Sequence, residues 1–203
     1  MNENKLLTTK NIAVIGMLGG VAGVLMLFEI PLVMIAPSFY GLDFSEIPVL
    51  IGTFALGPVA GILIELVKIM VKLLFKPTST AFVGEFSNFV IGCSLLLPAG
   101  IVYRKRRTRK HAVIGMVMGT LMMAVIGAVL NAVIMLPFYA KVIPLEQIIA
   151  AGAEIWPAID GIWTFVIFCV APFNLIKGAV TSLSTAVIYK RISKEIHRVG
   201  SKS

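Results

Sequence analysis

The chain has 203 residues, of which 58% are apolar and 14% charged, with a net charge of +8 and a mean hydropathy of +0.96. Soluble domains run at about 45–50% apolar and about 25% charged, so this composition excludes an ordinary soluble protein and points to one embedded in a membrane. The basic residues gather beside apolar runs, which suits membrane orientation, and no nucleic-acid partner is expected.

Apolar runs at 12–36, 47–75, 86–103, 112–138 and 158–189 are each near or above the roughly 20 residues a helix needs to cross hydrocarbon, and none shows barrel-type alternation. The first follows Lys5 and Lys10 as a signal peptide would. It is too long for an h-region and lacks an A-x-A cleavage site, so it is expected to be retained as a span. It carries Gly16 with Gly20 and Gly19 with Gly23 at four-residue spacing, which permits close approach of another helix, within the chain or on a partner. The run from Ile47 to Phe75 breaks at Gly57-Pro58, because proline cannot continue a helix interior, and is expected to form two helices. The first of these, about a dozen residues or near 18 Å, is too short to span alone, and short or interrupted segments point to transporter binding sites. Lys68 and Lys72 are expected to snorkel or to pair with Glu65. Cys93 and Cys169, isolated in apolar runs, read as small core residues.

Thirteen of the eighteen basic residues form three clusters: Lys5 and Lys10; Arg104, Lys105, Arg106, Arg107, Arg109 and Lys110; and Lys190, Arg191, Lys194, Arg198 and Lys202. All three lie on one side only if an even number of helices precedes Arg104, as the break at Gly57 allows. The expected architecture is therefore an all-α, six-transmembrane-helix bundle, a single membrane domain with both termini cytoplasmic. Its approximate spans are 11–36, 46–57, 58–76, 84–104, 111–139 and 158–190.

Depth locates the polar groups. At 1.5 Å per residue from the basic ends, Glu29, Glu85, Asn88, Asn131, Asn174 and Lys177 all lie roughly 20–28 Å up, in the outer half of the membrane. Polar groups at such depth face a bundle interior or a cavity. Glu85 with Asn88, and Asn174 with Lys177, are three apart and share helix faces. Phe39, Tyr40 and Asp43 occupy one outer connection, and Tyr139, Trp156, Asp160 and Trp163 lie in or beside another. An isolated Asn can equally be interhelical glue, and Trp or Tyr near a helix end an interfacial anchor.

Enzymatic motifs are missing: there is no GxSxG or HExxH, and His111 and His197 only flank basic clusters. No metal site, cofactor or catalytic residue is expected. Without a GxxxxGK[ST] loop the chain cannot itself use ATP by the usual P-loop route.

KPTSTAFVGEFSNFVIG at 76–92, APFNLIKG at 171–178 and the small-residue first helix resemble the riboflavin-specific S component of bacterial energy-coupling factor (ECF) transporters. The resemblance covers essentially the whole chain. It implies a bacterial cell-membrane vitamin binder serving a separate coupling transmembrane subunit and two cytoplasmic ATPase subunits, with riboflavin as transported substrate. Carried over, Asn131, Asn174 and Lys177 would hold the pyrimidine-like edge of the flavin. Phe39, Leu42 and Phe82 would wall the ring, Tyr40, Asp43 and Glu85 would meet the ribityl hydroxyls, and Asn88, Thr78, Ala81 and Thr164 complete the candidate set. The 36–46 loop would be the lid, and Gly16, Gly19, Gly20 and Gly23 the docking face. An S component for another vitamin, a stand-alone secondary carrier and an intramembrane enzyme remain as alternatives.

Overall fold

In the computed structural model, residues 8–78, 80–141 and 143–201 are described, with side chains as far as Tyr189. The expected anchors Lys5 and Lys202 lie outside this range, and the side chains of Lys190, Arg191, Lys194, Arg198 and His197 lie beyond Tyr189. Helix α1, Thr9–Leu25, opens at Thr8, whose hydroxyl accepts from the Asn11 N–H at 3.4 Å, satisfying one orphan donor of the first turn. The helix stops well short of residue 36. Pro31 disfavours helical backbone at the residue before it, and Ile30–Pro31 (β1) instead pairs antiparallel with Gly41–Leu42 (β2).

The break at Gly57 is present. Helix α2, Glu46–Leu56, ends at Gly57, whose φ of 101° is a left-handed conformation natural to glycine, and Pro58 opens α3, Pro58–Phe75. At eleven residues α2 is only about 16 Å long. Almost every residue in it is buried, because α1, α3, α4 and the last helix surround it. A helix apolar on all sides is stable in such a position.

Helix α4 spans Val83–Lys105 and α5 spans Arg109–Tyr139, the latter with a π-helical turn at Asn131–Met135. A short helix the sequence did not suggest, α6 at Leu145–Ala153, lies in the following connection. The last helix, α7, runs over 162–201, not from 158, with a second π-helical turn at Val166–Val170. By length and composition, Val83–Lys105, Arg109–Tyr139 and Ile162–Tyr189 can each cross a membrane. Large apolar side chains such as Met17, Val21, Leu121, Val125, Leu183 and Val187 are exposed along the bundle, as a lipid-facing surface requires.

Two apolar cores flank the polar interior. Toward the end carrying Arg104, the rings of Phe54, Tyr103 and Tyr189 pack together with a 2.8 Å hydrogen bond between the two tyrosine hydroxyls. Toward the other end, Leu42, Leu136, Ile148, Phe165 and Phe173 join the outer connections to α5 and α7.

Candidate ligand-binding site

At the end opposite Arg104 lies a cavity of about 500 Å³, within the range small-molecule sites occupy. Of the sequence candidates, Phe39, Tyr40, Asp43, Glu85, Asn88, Asn131, Asn174 and Lys177 line it, together with Glu29. The depth argument thus brought residues from the first outer connection, α4, α5 and α7 to one place.

Two of these asparagines, Asn131 and Asn174, sit beside π-helical turns. Asn131 opens the turn in α5 and its Nδ2 donates to Gly127 O at 2.8 Å, while Asn174 Nδ2 donates to Val170 O, the end of the turn in α7, at 2.9 Å. Such turns free backbone carbonyls and recur at functional sites. Here the two amides bond backbone carbonyls at the edges of the turns, which locks their orientation. Helices α5 and α7 meet at Gly127, where a Cβ would lie 2.7 Å from Asn174 Nδ2. A larger residue at 127 would push the second asparagine off its position.

The first outer connection closes on the same groups. Tyr40 OH donates to Asn131 Oδ1 at 2.7 Å and Lys177 Nζ donates to Asp43 Oδ2 at 2.7 Å. Trp156 Nε1, from the connection before α7, donates to Ile35 O at 3.3 Å and ties the two outer connections together. Asp43 is 2% exposed. Burial raises its carboxyl, but the Lys177 ammonium, then Lys68, outweigh that and hold it down at about 2. A free Asp titrates near 3.9, so the stabilisation from this pair is complete above about pH 4 and is lost as pH falls toward 2.

The segment 76–88 works mostly as a brace. Thr78 and Thr80 hydroxyls donate to Glu85 Oε2 at 2.8 and 3.1 Å, and Lys72 Nζ meets Glu85 Oε1 at 2.6 Å. Ala81 and Phe82 have φ of 46° and 67°, left-handed values that bulky residues rarely adopt. Thr78 Oγ1 holds this turn by accepting from Phe82 N at 3.0 Å.

Five candidates do not line the cavity. The left-handed turn leaves Ala81 exposed and swings Phe82 outward, 61% exposed. Leu42 is buried in the outer core. Thr78 supports Glu85, and Thr164 caps α7 by accepting from Gly161 N at 2.9 Å and donating to Asp160. Residues that sequence reasoning missed include Lys72, Phe138 and Phe173, all of which line the cavity, as does Tyr139, which the sequence placed only in the outer connection. Lys72, expected to snorkel or to pair with Glu65, reaches across to Glu85 of α4 instead. Lys68 does not snorkel: it is fully buried, with Nζ 2.7 Å from Glu46 Oε1 and 2.6 Å from Glu65 Oε1. Only its pairing with Glu65 was foreseen.

Charge in the cavity wall is balanced. Lys177 pairs with Asp43, Lys72 with Glu85, and Lys76 with Glu29 at 3.5 Å near the mouth. Phe39, Tyr40, Phe138, Tyr139 and Phe173 add aromatic surface. The arrangement suits a flat, uncharged, hydrogen-bonding molecule. Residues 10–189 match the family model for the ECF transporter substrate-specific component. The chain belongs to this family.

Among its relatives, a riboflavin transporter RibU of Staphylococcus aureus is 33% identical over 98% of this chain and 96% of its own length. A riboflavin transporter FmnP of Bacillus subtilis is 27% identical over 93% and 95%. A solved S component of a bacterial ECF transporter superimposes with a TM-score of 0.69 at 33% identity, covering 92% of this chain and 97% of that one. S components are multi-pass membrane transport subunits, not enzymes, and this chain is one of them.

In this S component the α1 glycines divide between two faces. A Cβ on Gly19 or Gly23 would lie 2.5 Å from Val67 or Val71 of α3, so these two serve packing inside the chain. Gly16 and Gly20 have nothing within 4 Å and face outward. Of the four glycines expected to form one docking face, two therefore pack inside the chain and two face open space.

Proposed function

We propose that the chain is the riboflavin-binding subunit of an ATP-driven ECF transporter in a bacterial cell membrane. The observation that carries this is the convergence of Asn131, Asn174 and Lys177 on a charge-balanced, aromatic-lined cavity in a chain whose relatives are riboflavin transporters. Riboflavin is uncharged. Its pyrimidine-like edge presents carbonyl acceptors and one N–H donor, which asparagine amides and a lysine ammonium match. Aromatic side chains suit the apolar ring faces, while Glu85, Asn88 and Tyr40 are placed for the ribityl hydroxyls. Tyr40 and Asp43 ride on the 36–46 loop, which acts as the lid over bound vitamin.

In this reading the chain has six spans, with both termini and the Arg104–Lys110 block cytoplasmic, supported by the helix order and the positive-inside rule. The short α2 is the second span and stays inside the bundle. A cysteine at Ser38 or Thr80 should be labelled by an impermeant maleimide on intact cells, and one at Thr108 should not. External labelling of Thr108→Cys would contradict this topology.

Lacking a P-loop, the subunit depends on a coupling transmembrane subunit and two cytoplasmic ATPases. Reconstituted alone into vesicles it should accumulate no riboflavin; with those three partners and ATP it should. Uptake by the lone chain would make it a secondary carrier.

A further inference from the structure

Beneath the cavity, and not lining it, lies a cluster of ionisable groups shut off from solvent. Glu46 of α2 and Glu65 and Lys68 of α3 are each no more than 1% exposed. Both carboxyls approach the same Nζ, Glu46 Oε1 at 2.7 Å and Glu65 Oε1 at 2.6 Å. Only the Glu46 contact has hydrogen-bond alignment. Neither oxygen of Glu65, nor Oε2 of Glu46, has a hydrogen-bond partner. Gly92 of α4 closes the other side, so near that a Cβ there would collide with Glu65 Oε1 and lie 3.1 Å from Glu46 Oε1.

Fully ionised, the three side chains carry two negative charges against one positive. The next charged groups are Asp43 of the outer loop and Lys177 of α7, and they cancel each other at 2.7 Å. Asn88 and the Cys93 thiol, from α4, also face the cluster, and neither brings a positive charge. One negative charge is left uncompensated in a dry interior, a condition proteins avoid by adding a proton or a cation. A metal ion does not fit, because Nζ already occupies the place between the carboxyls, and the described residues assemble no group of three His, Cys, Asp or Glu.

We propose that the Glu46–Glu65–Lys68 cluster is a one-proton site, in which Glu65 carries the proton as a neutral carboxylic acid while Glu46 and Lys68 form the ion pair. With Glu65 neutral, Lys68 stays held between Glu46 and Asn88 Oδ1, the latter 3.4 Å away, so the site braces a residue of the cavity wall. Release of the proton would return the excess charge and loosen that brace.

Infrared spectroscopy of the purified chain in lipid tests this directly. At neutral pH the wild type should show a protonated-carboxyl carbonyl band equivalent to one group per chain, shifted by ¹³C labelling of glutamate carboxyls. Glu65→Gln should abolish the band and leave the thermal midpoint near that of the wild type, since an amide replaces a neutral acid. Glu46→Gln should also abolish it, because removing the other carboxylate lets Glu65 ionise against Lys68. A wild-type spectrum without the label-sensitive band overturns the proposal whether or not the variants fold. So does a band that survives both substitutions. Loss of the band with stability that rises on adding Na⁺ or K⁺ at constant ionic strength would assign the missing charge to a metal cation instead.

Discussion

Lys177→Met is expected to weaken riboflavin binding by roughly 10- to 100-fold, about 1.5–3 kcal/mol, the usual worth of a hydrogen bond to a charged group. Lys177 lies one helical turn after Asn174, lines the same cavity as both asparagines, and is 5% exposed. The same change strands the buried Asp43 carboxylate, so the variant should also lose thermal stability. The double variant Asp43→Asn/Lys177→Met separates the two effects. It should recover stability, because no charge is left unpaired, yet remain weak in binding. Asn131→Ala should lose about 1–3 kcal/mol of binding through an unmatched polar partner. Isothermal titration of each purified variant measures these losses, and wild-type affinity in both Lys177→Met and Asn131→Ala would remove these residues from the site.

Substitutions along α1 should have opposite outcomes on its two glycine faces. Gly19→Leu and Gly23→Leu each drive a side chain into Val67 or Val71 and against the backbone carbonyl of Ile64 or Lys68, at 3.2 and 3.0 Å from the Cβ alone. Overpacking of this kind costs about 1–3 kcal/mol or more, and here it also disturbs the helix that holds Lys68 and Lys72. Both riboflavin binding and folded yield should fall. Gly16→Trp and Gly20→Trp meet open space, so binding by the purified subunit should stay within about twofold of wild type. Uptake by the complete transporter should nevertheless be abolished, because small residues on an exposed helix face permit close approach of a partner helix. Equal loss of uptake and binding in a folded Gly16→Trp chain would place that face inside the subunit.

Much of this could be read from the sequence because strong local signals agreed. Pro58 after Gly57 marked the helix break through the proline ring alone, and the depth of Asn131, Asn174 and Lys177 followed from helical rise measured from basic anchors. What escaped depended on backbone conformation or on a facing helix. Phe82 looked like a cavity wall until two left-handed residues turned it outward, and nothing in the sequence TAFVGE announces positive φ. Thr78 and Thr164 are polar residues near the site whose hydroxyls serve Glu85 and the start of α7. Lys72 was expected to snorkel or to pair with Glu65, because a sequence shows neighbours along one helix and not the Glu85 carboxylate that α4 presents. The glycines of α1 lie close in angle around the helix, and only the position of α3 decides which pair is inward. The end of α1 at Leu25 was lost in a continuous apolar run that crosses into the β1–β2 ribbon.

Titration of the purified chain with riboflavin, followed by flavin fluorescence and with no other subunit present, bears most directly on the central claim. The cavity geometry predicts saturable binding at one riboflavin per chain, with quenching as the ring enters the aromatic wall of Phe39, Tyr40 and Phe173. Absence of saturable binding by a folded chain would contradict it.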